Sequence, residues 1–72
     1  MIYFITEKGR EKVLLTHIGY EAKDLTELEE FVLMSVNAGK DYGGMDINED
    51  YLSRNELRAF KSLVRKGYIE GI

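Results

Sequence analysis

Ser53-Arg-Asn-Glu-Leu-Arg-Ala-Phe-Lys-Ser-Leu-Val-Arg-Lys-Gly-Tyr-Ile-Glu-Gly-Ile72 reads as an amphipathic helix over 53–66, a glycine stop and a short strand over 67–72. Ser53 and Glu56 have the spacing of a capping box, in which each side chain satisfies an orphan backbone donor at the helix start. At about 100° per residue, Arg54, Arg58, Lys61 and Arg65 fall within a stripe roughly 60° wide, whereas Leu57, Phe60, Leu63 and Val64 gather on another face. Asn55 and Ser62 border the cationic stripe. One face is thus built for a core, and the other offers four cations flanked by hydrogen-bonding side chains, which is the layout of a DNA-recognition helix. The bland alternative is that the stripe is the solvated face of a surface helix.

Leu57-Arg-Ala-Phe60-Lys-Ser-Leu63-Val-Arg-Lys66-Gly67-Tyr68-Ile69-Glu70 also resembles the recognition helix and first wing strand of winged-helix transcription regulators of the MarR and PadR type. Tyr3-Phe-Ile-Thr6-Glu-Lys-Gly9-Arg-Glu looks like the returning wing strand of these families as it enters the next helix. Leu25-Thr26-Glu-Leu-Glu-Glu-Phe-Val-Leu-Met-Ser-Val36 is similar to their early core helix. The pieces therefore stand in circularly permuted order, with the two halves of the wing at the two chain ends. The resemblance implies an α+β, mostly α, winged-helix-like three-helix domain in which strand 1–5 pairs antiparallel with strand 67–72. It also implies a small double-stranded-DNA-binding transcription regulator, working as a homodimer on two half-sites. Asn55, Arg58 and Ser62 would read bases, and Arg54, Lys61, Arg65 and Lys66 would contact phosphates.

The composition is compatible with a single domain spanning 1–72. A chain of 72 residues buries only about 60% of its unfolded surface. Hydrophobic residues make up 44% of it, with no proline, so an ordered globule is expected. The absence of cysteine removes disulfide and thiol chemistry. No apolar run is long enough for a signal peptide or a membrane span, so the expected location is the cytoplasm.

The net charge of −3 opposes nucleic-acid binding, because Lys and Arg contacts to phosphate supply most non-specific affinity. The charge is segregated, however. Residues 53–72 carry five cations against two acids, a balance of +3, and residues 1–52 carry five cations against eleven acids, a balance of −6. The field near the 53–66 helix is set by charges within about one Debye length, ~8–10 Å. The acidic total instead favours the competing reading, a protein-interaction module of the same fold whose basic helix meets an acidic partner.

Elsewhere, Met1–Ile5 reads as a strand, and Thr6 caps a helix at about 6–18 with Val13, Leu14 and Ile18 on its apolar face. The resemblance explains Gly9 there by close approach of strand and helix. Thr26 and Glu29 form a second capping box, starting a helix that Asn37-Ala38-Gly39 closes. Apolar residues cover most of its circumference, so it is expected to be the central helix, with its main arc around Phe31 and Val32 and with Leu33 and Met34 outside it. The segment 39–52, with Gly43-Gly44, Asp41, Asp46, Glu49 and Asp50, reads as a loop with a single helical turn near 47–52. This is where a helix-turn-helix places its supporting helix.

No cofactor and no enzymatic activity are expected. Asp46, Asn48 and Asp50 alternate like calcium-loop ligands, but Tyr51 and Leu57 stand where the loop needs glycine and glutamate. His17 is the only histidine and has no local catalytic or metal-binding companion. Among the aromatics, Tyr3, Phe4, Phe31 and Phe60 read as core, Tyr42 and Tyr51 as loop, and Tyr20 and Tyr68 as ambiguous; filling a small core outweighs base stacking.

Overall fold

Local chemistry at Thr26, Gly39, Ser53 and Gly67 sets the ends of two helices. In a computed structural model, which describes residues 2–17, 24–39 and 46–72, three helices pack against a two-stranded ribbon: β1 (Tyr3–Ile5), α1 (Glu7–His17), α2 (Glu27–Ala38), a 3-10 turn at Glu49–Tyr51, α3 (Arg54–Lys66) and β2 (Ile69–Gly71). Met1, Ile18, Tyr20, Asp41, Tyr42, Gly43 and Gly44, named in the sequence analysis, lie outside the described residues.

Both capping boxes form. Glu29 N–H donates to Thr26 Oγ1 at 3.2 Å and Thr26 N–H to Glu29 Oε1 at 3.3 Å; Glu56 N–H and Ser53 Oγ, and Ser53 N–H and Glu56 Oε1, pair at 3.1 Å each. At the C-terminus of α3, Gly67 takes the left-handed conformation at φ 83°. That turn lets Tyr68 N–H reach the Leu63 carbonyl at 3.0 Å and Gly67 N–H the Val64 carbonyl at 3.0 Å, which satisfies the last helical acceptors and releases the chain into β2.

The ribbon is antiparallel, with Tyr3 opposite Gly71, Phe4 opposite Glu70 and Ile5 opposite Ile69. Ile2 and Ile72 exchange backbone hydrogen bonds at 3.0 and 2.8 Å, so the pairing runs to the last described residues. On its other edge Ile2 bridges to Asp46. A two-stranded ribbon is marginal alone, and here Tyr3 and Ile69 press into the core, where the Tyr3 and Phe60 rings stack 4.5 Å apart at 31°.

Thr6 fastens ribbon to helix. Its hydroxyl accepts from Gly9 N–H at 3.1 Å, capping α1, and donates to the Gly67 carbonyl at 2.6 Å. Gly9 lies so close to the backbone entering β2 that a Cβ there would come within 2.1 Å of the Tyr68 carbonyl oxygen.

Among the described residues, Phe60, Leu33, Leu63, Ile69 and Val32 are the largest fully buried side chains. This corrects the sequence reading of α2. Leu33, expected outside the main arc, is 2% exposed, whereas Phe31, expected at its centre, is 51% exposed. The buried arc runs through Glu29, Val32, Leu33, Ser35 and Val36, because α3 and β1 pack on that side. Phe4, Leu14 and Val64, also read as core, are exposed; Phe4 alternates with buried Tyr3 along the strand, and Val13 alone of the α1 apolar pair turns inward. Among the described residues, no helix is long and apolar enough to cross a membrane.

Candidate nucleic-acid interface

α3 turns Ala59, Phe60 and Leu63 into the core, which fixes the rotation of the whole helix. Arg54, Asn55, Arg58, Lys61 and Arg65 are consequently all exposed on its outer side. None of these four cations forms an ion pair with another described residue. At 1.5 Å per residue the stripe from Arg54 to Arg65 runs about 16 Å, close to five base steps of duplex.

The remaining two residues assigned to this face behave differently. Ser62 and Lys66 are half-buried and turn toward α2. Ser62 Oγ donates to Glu29 Oε2 at 2.8 Å, and Lys66 Nζ donates to the same oxygen at 3.1 Å. Lys66 also donates to the Asp24 carbonyl. Glu29 is 8% exposed and uses its other carboxylate oxygen to close the α2 capping box. Burial alone would raise its pKa, but the hydrogen bonds from Lys66, Ser62 and the Thr26 backbone, with the Lys66 charge, hold it below the usual carboxylate range.

Between the N-terminus of α2 and α3 runs an open groove of about 620 Å³, with Leu28 and Glu29 on one wall and Asn55, Arg58, Lys61 and Arg65 on the other. Its size is within the range of small-molecule clefts, about 300–1,000 Å³. Its open side, however, continues the cationic face of α3, and the Glu29 carboxylate in its wall is already matched by Lys66 and Ser62.

A second polar cluster secures the C-terminal end of α3. The Tyr68 hydroxyl donates to Asp24 Oδ2 at 2.6 Å, and Lys12 Nζ lies 2.5 Å from Asp24 Oδ1. The Lys12 and Tyr68 hydrogen bonds outweigh burial and bring the Asp24 pKa down to about 2. The Tyr68 hydroxyl, held against that carboxylate and partly desolvated, is shifted upward. Lys8 and Lys12 sit 5.1 and 5.8 Å from the Tyr68 ring centroid, and Lys8 Nζ donates to the Lys66 carbonyl at 2.8 Å, where a cation favours the negative end of the helix.

At the other end, the 3-10 turn stands where a supporting helix was sought. Asn48 caps it by accepting from Asp50 N–H at 3.0 Å, and the Tyr3 hydroxyl donates to Glu49 Oε1 at 3.0 Å. Tyr51 projects from it, 87% exposed. Sequence spacing revealed the cationic stripe, but not the engagement of Ser62 and Lys66 with Glu29, which is 33 and 37 residues away; the one local hint was that Glu29 sits in a capping box.

Compared with protein-family models, curated proteins and solved structures, the chain matches none.

Proposed function

We propose that this chain is a small DNA-binding protein, a transcription regulator of winged-helix type acting in the cytoplasm as a homodimer, with α3 in the major groove of double-stranded DNA. The observation that carries this reading is the exposure of Arg54, Asn55, Arg58, Lys61 and Arg65 along one side of a capped helix, with the four cations unpaired among the described residues. A major groove about 12 Å wide admits an α-helix, and the residues near the start of a recognition helix meet base edges. Asn55 and Arg58 are therefore the base readers, and Arg54, Lys61 and Arg65 the phosphate contacts. In this reading the ribbon, with Phe4 and Glu70 on its outer side, serves as the wing.

Anisotropy titration of a mixed-sequence duplex of about three helical turns tests the reading. Three phosphate contacts predict a log–log salt slope of about −2.7 per subunit, or about 40-fold weaker binding between 50 and 200 mM salt. Arg58→Ala/Lys61→Ala is expected to weaken binding and flatten the slope. Absence of binding even at low salt would favour the second reading, an interaction module for an acidic protein. That reading draws its support from Asp46, Glu49 and Asp50, which sit on the segment leading into α3, where a phosphate backbone would meet like charge.

A further inference from the structure

Ser62 and Lys66 share a side of α3 with Asn55, yet their donors point away from solvent. A hydroxyl has one proton to give, and Ser62 gives it to Glu29 Oε2. The Lys66 ammonium is shared between Glu29 Oε2 and the Asp24 carbonyl, and its own backbone carbonyl is held by Lys8. Glu29 cannot swing aside to release them without opening the α2 cap, because Oε1 accepts from Thr26 N–H and Glu29 N–H donates to Thr26 Oγ1. The pair is also shielded, with the Glu29 side chain 10% and the Lys66 side chain 31% exposed, so salt screens it less than a surface pair. A phosphate would have to displace a desolvated carboxylate to recruit Lys66, whereas Arg65, the preceding residue, is exposed and needs no such exchange.

We propose that Glu29 is a positioning residue that withholds Lys66 and Ser62 from DNA, limiting the recognition face to Arg54, Asn55, Arg58, Lys61 and Arg65. The inference rests on the DNA-binding reading above and deepens it. Its consequence is a ceiling on non-specific affinity. Each additional phosphate contact steepens the salt dependence by about 0.9 in log–log slope, and the carboxylate removes one such contact from a chain that carries five cations in residues 53–72.

Salt-dependent anisotropy with Glu29→Gln tests it, since the glutamine oxygen keeps the acceptor for Thr26 N–H and its amide group can donate to the Ser62 hydroxyl, while the charge that holds Lys66 is lost. The expected result is a slope steeper by about 0.9 and tighter binding at low salt, with the double variant Glu29→Gln/Lys66→Ala returning to the wild-type slope. Glu27→Gln, an equal charge change at an exposed position on the same helical turn, is expected to leave the slope unchanged. An unchanged slope in a folded Glu29→Gln variant, or an equal steepening by Glu27→Gln, would overturn the proposal. If Glu29→Gln fails to fold, Lys66→Ala decides alone: an unchanged slope supports the proposal, and a slope shallower by about 0.9 places Lys66 on the DNA and overturns it. Wild-type protein that shows no salt-dependent binding would defeat the DNA reading itself.

Discussion

A methyl group at Gly9 would collide with the backbone just before β2, because its carbon would lie 2.1 Å from the Tyr68 carbonyl oxygen and 2.8 Å from Ile5 Cγ1. Gly9→Ala is therefore expected to cost about 2 kcal/mol or more, as overpacking against an unyielding neighbour does. Gly67→Ala has room, with Lys8 Cδ at 3.7 Å, and is expected to cost about 1 kcal/mol through its positive φ. Urea midpoints should rank the two in that order; the reverse order would mean that helix and strand part easily. Titrating side chains give a second residue-level prediction. The folded pKa of Asp24 lies below its unfolded value of about 4, so its contribution is present above pH 4 and is lost as pH falls toward 2. Glu29 acts in the same direction. Tyr3, pushed up to about 12 first by burial and then by Glu49, contributes below pH 10 and loses that contribution as pH rises from 10 to 12. Urea midpoints measured against pH should show both limbs, with Asp24→Asn flattening the acid one and Tyr3→Phe the alkaline one.

Among the elements, the helix ends were the most legible part of the sequence. Thr26 with Glu29, Ser53 with Glu56, and Gly39 and Gly67 act through neighbours three or four residues away, and each cap forms. Ser53→Ala should accordingly cost about 1 kcal/mol in thermal or urea denaturation while leaving α3 on the same core contacts. The rotation of α3 was legible for the same kind of reason, since its apolar and cationic faces are separated. α2 was not, because a helix apolar around most of its circumference carries no local sign of which arc its neighbours will cover. Burial of Leu33 and exposure of Phe31 were decided by where α3 and β1 settle. Glu29 posed the same difficulty at the candidate interface. Its spacing to Thr26 announced a cap, whereas its hold on Ser62 and Lys66 arises from helix packing across more than thirty residues.

For the molecule as a whole, the pairing of strand 1–5 with strand 67–72 was inferred by placing two motifs in permuted order, and the ribbon forms in that place with slightly shorter strands. The Cα radius of gyration is 11.2 Å, about the value expected for a compact chain of this length. Such a domain has little stability in reserve, on the order of 4–11 kcal/mol at 0.05–0.15 kcal/mol per residue. Phe60 is fully buried and stacked on Tyr3, so Phe60→Ala, with an expected cost of about 3–5 kcal/mol, removes a large share of that reserve. Near-ultraviolet circular dichroism should show aromatic packing largely lost at 37 °C, and an intact spectrum would mean that the core lies elsewhere. The ribbon also determines how the domain bears load. Ile2 and Ile72 face each other at its open end, so a force applied between them acts on one hydrogen-bonded rung at a time. A tether attached to both residues would peel the strands apart before it strained the helices, leaving the ribbon as the mechanically weak seam of the domain.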